Sequence, residues 1–404
     1  MNILRADYIL TCDKNFNILK NYAICFDKYI LSVDKLENLV KQYPKAKVVK
    51  LPKNSVIMPG LINSHVHLEF SANKTTLKYG NFITWLNSVM LKREELLLQC
   101  SDEIVEKQLK TMQKSGTTTF GAISSFGNDF RVCHKTSQRV VFFIELLGSR
   151  IDSLELLLKN FKSRLQACKD NANEKLIPAI SIHSPYATHP MLVSNALDIA
   201  RKYSYVVSTH FMESKAEREW LDSGLGEFND FFNNFTSNPQ PMISASEYIK
   251  LFSEVKTLFT HCVQANKSEL KMIKKIDGSI THCPISNRLL GVGKLNLSKV
   301  KNFTLGTDGL SSNVSLNLWD EMRAVLLSHE KIEINTLAEM TIKAVTTHGA
   351  SALNINAGEI RVGKFADLNI CELPDEVKSL KEIALQLILH TKFTKTTYIA
   401  GEKV

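Results

Sequence analysis

Two histidines with one residue between them, His65 and His67, close the stretch Pro59-Gly60-Leu61-Ile62-Asn63-Ser64-His65-Val66-His67. The apolar residues before them read as a β-strand, in which side chains two apart face the same way. Two imidazoles presented like that can share one divalent cation. Alone, the pair reads equally well as two hydrogen-bonded histidines at a strand end. Three more apolar runs end on residues of the same kind. One finishes Val206-Val207-Ser208-Thr209-His210, with Glu213 just beyond; another finishes Leu258-Phe259-Thr260-His261; a third runs Leu305-Gly306-Thr307-Asp308. His210 supplies a third nitrogen, Asp308 a carboxylate, and Glu213 an acid–base group placed to reach a water on the cation. Such a set, drawn from separate strands, is the equipment of metal-assisted hydrolysis. No GxSxG and no Cys–His arrangement offers a nucleophile for covalent catalysis.

The elements that must position these residues alternate between short β-rich runs and long, Lys/Glu-rich amphipathic helices. The runs are Val56–Asn63, Thr117–Ile123, Val140–Glu145, Ile177–Ile182, Tyr205–His210, Thr257–Cys262, Ser279–Cys283 and Phe303–Thr307. Eight strands over some 250 residues predict an α/β fold, a (β/α)8 TIM barrel, whose active face lies at the strands' C-terminal ends. Short strands at Ile3–Thr11, Ala23–Phe26, Tyr29–Val33 and Lys47–Leu51, and again at Asp367–Cys371 and Thr396–Ile399, predict a small β-sandwich built from both termini. The division expected is 1–57 and 358–404 for the β domain and 58–357 for the barrel.

Composition narrows the function further. A chain of 404 residues, 44% hydrophobic, can bury a full core. The opening residues lack a secretory signal, and Glu145 stops the apolar run Val140–Ile144 well short of a membrane span, so a cytoplasmic protein without membrane contact is expected. The eight cysteines include no pair three apart, which excludes CxxC zinc ribbons and the PCxxC of cytidine deaminases. The net charge of +9 is spread over helix faces without aromatic interleaving, so no nucleic-acid partner is expected. Gly358-Glu359-Ile360-Arg361-Val362-Gly363-Lys364 nearly spells a phosphate-binding loop, but Phe365 stands where Ser or Thr would hold magnesium.

The segments PGLINSHVHLEF, THFMES, THCV, THCPISNRLLGVG and LGTDGLSSNVSLNLWDEMR resemble the amidohydrolase superfamily, in particular its mononuclear deaminases. Similarity runs from about residue 20 to AGEIRVGKFADL near the C-terminus. It is strongest to the S-adenosylhomocysteine/methylthioadenosine deaminases and the 6-aminodeoxyfutalosine deaminases of menaquinone biosynthesis. The resemblance implies one divalent metal, Zn2+ or Fe2+, held by His65, His67, His210 and Asp308, with Glu213 and His261 as the water-activating pair and Asp308 passing a proton to the departing amine. Binuclear members use a lysine at the end of strand four; here that strand ends Ser181-Ile182-His183 and Lys175 lies at its start, which favours a single metal.

For substrate, His183-Ser184-Pro185-Tyr186 resembles a nucleoside-contacting motif of the adenosylhomocysteine-type enzymes, and Glu94 falls where that family places a carboxylate for the ribose hydroxyls. Arg150 is a candidate for an acidic substrate end, and His282 for lining the pocket or orienting a neighbour. The expected reaction is hydrolytic removal of the 6-amino group from a 5′-substituted adenosine-like nucleoside, 6-aminodeoxyfutalosine first. Adenosylhomocysteine, methylthioadenosine and 5′-deoxyadenosine are the rivals, and cyclic amide hydrolysis is the alternative chemistry. The resemblance also allows a homo-oligomer.

Overall fold

The computed structural model describes residues 1–404. Eight parallel strands form one sheet in chain order: β1 Leu61–Val66, β2 Thr117–Ser124, β3 Arg139–Leu146, β4 Leu176–Ile182, β5 Val207–Phe211, β6 Thr257–His261, β7 Ser279–His282 and β8 Thr304–Leu305. All eight coincide with runs expected from the sequence. The reason is visible in their burial: β1, β2, β3, β5 and β6 are buried at every position. A parallel strand covered on both faces leaves a nearly continuous apolar run in the sequence. The ring is nearly closed; where β8 ends, Asp308 N–H donates to the His65 carbonyl at 3.1 Å, joining last strand to first.

Strands from both termini make two further sheets. One has four strands in the order Ile30–Asp34, Ala23–Phe26, Asn2–Arg5, Lys47–Lys50; the other has six, with Ser55–Pro59 between Leu368–Glu372 and Tyr8–Leu10. Ile57 lies opposite Ile370 on one side and Ile9 on the other, so the first and last parts of the chain meet across one residue. Leu4, Ile24, Phe26, Ile57, Leu368 and Ile370 share the core between them.

Two expected strands are each divided. Val56–Asn63 leaves the six-stranded sheet at Pro59 and enters the barrel at Leu61. Ile3–Thr11 is split between the two terminal sheets at Ala6-Asp7, where the Asp7 carboxylate accepts from Asn54 N–H at 2.9 Å. Ile18–Lys20 and the helix Leu36–Gln42 were not anticipated.

The chain groups into two compact units, Met1–Ser64 with Leu109–Phe120 and Asn317–Val404, and His65–Gln108 with Gly121–Leu316. These limits differ from 57 and 358 because the helices Leu318–Ser328 and Ile334–Ala344 pack on Ile383–His390, within the first unit. No helix is long and apolar enough to cross a membrane.

Candidate active site

Every residue of the expected constellation belongs to the second unit and sits at a strand's C-terminal end. His65 and His67 follow each other on one side of the end of β1, their rings 4.9 Å apart. His67 Nε2 lies 3.3 Å from His210 Nε2, 3.6 Å from Asp308 Oδ1, and His65 Nε2 lies 3.9 Å from the same oxygen. Donor atoms of His65, His67 and His210 all fall within 4.8 Å of one another, as do those of Glu213, His261 and Asp308.

The backbone is shaped to allow this. Gly306 and Gly309 flank Asp308, and a Cβ on either would stand 2.8 Å from His65 Cβ or 2.9 Å from His67 Cβ. Glycine lets the end of β8 press directly against the two histidines. Asp308 and His261 themselves hold left-handed backbone, φ 57° and 74°. Non-glycine residues adopt that region at a cost, and such strain collects at functional sites where surrounding contacts enforce it.

Each donor is aimed by a second contact. His65 Nδ1 lies 3.3 Å from Thr260 Oγ1, and His210 Nδ1–H donates to the His183 carbonyl at 2.9 Å. Asp308 Oδ2 accepts from the Ser286 and Ser312 hydroxyls at 2.7 and 3.0 Å, leaving Oδ1 toward the histidines. Burial, reinforced by the neighbouring imidazoles, holds His65 well below the usual histidine range and His210 at about 3. Both are therefore neutral, the form that ligates metal. Burial works to raise the Asp308 carboxyl, but the neighbouring His67 and the Ser286 hydroxyl outweigh it and hold it below the usual carboxylate range.

A divalent cation fits these residues. Two nitrogens bound tetrahedrally at about 2.0–2.1 Å are about 3.3 Å apart, the separation found between His67 and His210. Ligating histidines with their other nitrogen on an oxygen are the usual outer arrangement of such centres. A second group, Glu145, His183 and His210, also has its donor atoms within 4.8 Å. There, however, Glu145 and His183 hold each other at 3.0 Å, and Lys175 is exposed at the opposite end of β4.

Beside the cluster, His261 Nε2 is buried without a hydrogen bond, 3.5 Å from Glu213 Oε1. Its Nδ1–H donates to Asn287 Oδ1 at 2.9 Å, and Asn287 Nδ2 lies 3.3 Å from His282 Nδ1. Burial lowers the His261 imidazole, so it is neutral and its Nε2 is an acceptor. Burial, with Asp308 and Glu217 nearby, raises the Glu213 carboxyl well above the usual range, so it readily holds a proton. Glu217 accepts the backbone N–H groups of Met212 and Glu213 at 2.9 and 2.8 Å and fixes the turn carrying Glu213.

His67, His210, Glu213, His261 and Asp308 form the floor of a cavity of about 310 Å³. His183 lines it, its Nδ1–H on Glu145; burial would lower the imidazole and raise the carboxyl, but their mutual attraction prevails and the pair is ionic. Phe70, Phe82, Trp85, Phe126, Tyr186 and Phe231 give the walls an aromatic character.

Three expected contacts are placed elsewhere. Arg150 is three-quarters exposed and paired with Asp152. Glu94 is exposed on the helix Phe82–Gln99, while its neighbour Arg93 lines the cavity. His282 is fully buried and touches Asn287 rather than the cavity, so of its two expected roles the orienting one remains. Sequence reasoning missed Glu145, Glu217, Asn287 and Arg93. Glu145 carried a signal, as a charge closing the apolar run Val140–Ile144; Glu217 carried another, lying four residues after Glu213.

The amidohydrolase family model matches residues 56–404. An aminodeoxyfutalosine deaminase of Nitratiruptor is 44% identical over 405 residues, covering 100% of this chain and 99% of that protein. The crystal structure of Helicobacter pylori aminofutalosine deaminase in complex with methylthio-coformycin superposes with a TM-score of 0.96 at 35% identity, covering all of both chains. A 5′-deoxyadenosine deaminase of Methanococcus vannielii is 30% identical over 78% of this chain and 74% of its own length. Matched over its barrel and its C-terminal strands alike, the chain belongs to the amidohydrolase family.

Proposed function

We propose that the protein is a mononuclear aminohydrolase that replaces the 6-amino group of a 5′-substituted adenosine-like nucleoside with oxygen, acting on 6-aminodeoxyfutalosine in menaquinone biosynthesis. The observation that carries this is the Glu213–His261 pair set beside a cation-ready His65, His67, His210 and Asp308 on the floor of an aromatic cavity. The names of the Nitratiruptor and Helicobacter relatives support the substrate; the 5′-deoxyadenosine deaminases share the chemistry at lower identity.

His65, His67, His210 and Asp308 would hold one divalent cation, zinc or ferrous iron, which supplies Lewis acidity and brings the ionisation of water to about pH 7. Glu213 takes the first proton of the attacking water and delivers it to the ring nitrogen next to the amino-bearing carbon, making that carbon more electrophilic. His261, with Nε2 as acceptor, holds the water on its line of attack and stays neutral while Glu213 and Asp308 move the two protons. The C–O bond forms, Asp308 passes the water's second proton to the amine, and the C–N bond breaks with release of ammonia. His183, clamped by Glu145, faces the nucleoside from the side of β4.

The reading is tested by ammonia release from 5′-substituted adenosines with metal content measured alongside. Glu213→Gln should keep its metal and lose about 10³-fold in turnover. Wild-type rates in that variant, or full activity in enzyme stripped of transition metal, would sink the assignment.

A further inference from the structure

The floor of the cavity is crowded with carboxylates, from Glu145, Glu213 and Asp308, whereas its lining contains one Lys or Arg side chain, that of Arg93. Arg93 sits on the helix Phe82–Gln99, whose residues Trp85, Leu86, Val89, Met90 and Arg93 share the cavity-facing side. At its near end Trp85 Nε1–H donates to the Ser311 carbonyl at 2.8 Å, three residues from Asp308. Arg93 comes eight residues later, about 12 Å further along the helix axis. The helix therefore runs from the reacting end to a distal end, and the cation marks the distal end.

The surroundings of Arg93 are incomplete for a guanidinium. It is half-buried, it makes no hydrogen bond or ion pair, and its one charge-sensitive neighbour is the ring of Phe126, 5.9 Å away. On its own helix, Glu95 is committed to Lys92 and Gln99, and Glu94 is exposed. Other arginines here, such as Arg201, Arg218 and Arg323, each hold an aspartate. A guanidinium cannot discharge itself by losing a proton and offers five donors in a planar fork that matches a carboxylate. Phe126 is itself positioned: its N–H and those of Ser125 and Asn128 all donate to the buried Glu69 carboxylate at 2.7 to 3.1 Å.

We propose that Arg93 is the specificity-determining residue at the distal end of the cavity, binding a carboxylate carried on an aromatic 5′ extension of the nucleoside, with that extension lying against Phe126. The inference deepens the proposed deaminase reading and rests on it. It also fixes direction: an acidic end drawn to Arg93 leaves the amino group facing Glu213 and Asp308.

The test uses a matched pair of 6-aminopurine nucleosides, one ending in a 5′-linked benzoate and the other in its methyl ester. Wild-type enzyme should prefer the acid by about 10- to 100-fold in kcat/KM, the range for a hydrogen-bonded charge. Arg93→Met should reduce that preference to within about twofold, with the loss falling on the acid far more than on the ester, and Arg93→Lys should restore part of it. Equal losses on acid and ester, or an undiminished preference in Arg93→Met, overturns the proposal. If wild-type enzyme releases ammonia from neither nucleoside, the deaminase reading has failed. Arg93 is then decided by calorimetric titration with benzoate alone: binding lost in Arg93→Met supports the assignment, and equal binding to both proteins refutes it.

Discussion

The two ends of the cavity are built on opposite plans. At the floor the reacting groups are each held by a second residue from an adjoining strand, loop or short helix: Asp308 takes two hydroxyls, His261 leans on Asn287, His183 is clamped by Glu145. Toward Arg93 the walls are aromatic and aliphatic, and the one strong cation is left without a counter-charge. Chemistry demands that a few groups be held within fractions of an ångström, and that requires a dense outer shell. Recognition of an extended substrate requires area and a single directional charge, which a helix face and a few rings supply.

The comparison can be sharpened by perturbing each end separately. At the floor, Asn287→Ala removes the acceptor that fixes His261 and should cost about 10- to 100-fold in kcat with little change in KM, read by steady-state ammonia release. A change confined to KM would show that Asn287 serves binding rather than the reacting atoms. At the wall, Phe126→Ala should raise KM by about tenfold for an aromatic 5′ extension, leaving kcat nearly untouched, since a stacked ring contributes about 0.5–1.5 kcal/mol beyond its buried area. A short 5′-methyl substrate should be much less affected.

Away from the cavity, Ile57→Ala in the terminal sheets should destabilise by about 2–5 kcal/mol. Thermal unfolding would register it, while the KM of the surviving folded enzyme stays at the wild-type value. The smallest effect is expected at Glu333, which caps the helix Ile334–Ala344. Hydrogen bonds from the Asn335 and Thr336 backbone hold its carboxyl down at about 2, from an ordinary 4.5. A depressed carboxyl contributes stability that is complete above about pH 4.5 and lost as the pH falls through 2. Glu333→Gln should therefore lower Tm slightly at pH 7 and lose its difference from wild type as the medium approaches pH 2, provided unfolding is still reversible there.

The barrel strands and the residues at their tips were legible in the sequence because burial on both faces writes a continuous apolar run, and a polar residue ending such a run stands out. His65, His67, His210, Glu213, His261 and Asp308 all announced themselves this way. Asn287, Ser286 and Ser312 did not, since a residue that steadies another from a loop or a short helix follows no periodicity. On the substrate side His183 lines the cavity, while Glu94 differs by phase: along a helix one residue is a turn of about 100°, enough to separate the exposed Glu94 from Arg93 in the cavity. Arg150 looked eligible by position, but Asp152, two residues on, had already claimed it. The division of Val56–Asn63 between two sheets was hidden because both halves are equally apolar.

The contact between Asp308 N–H and the His65 carbonyl has a bearing on how the enzyme acquires its metal. The four side chains proposed to hold the cation come from the first, fifth and last strands of the ring, so no folding intermediate lacking the eighth strand could assemble all of them. On that proposal metal uptake would be a late event, and a cation bound there would act as a fastener that stabilises the closed ring by mass action. Loss of the ion would be felt first as a loosened seam between the two ends of the sheet.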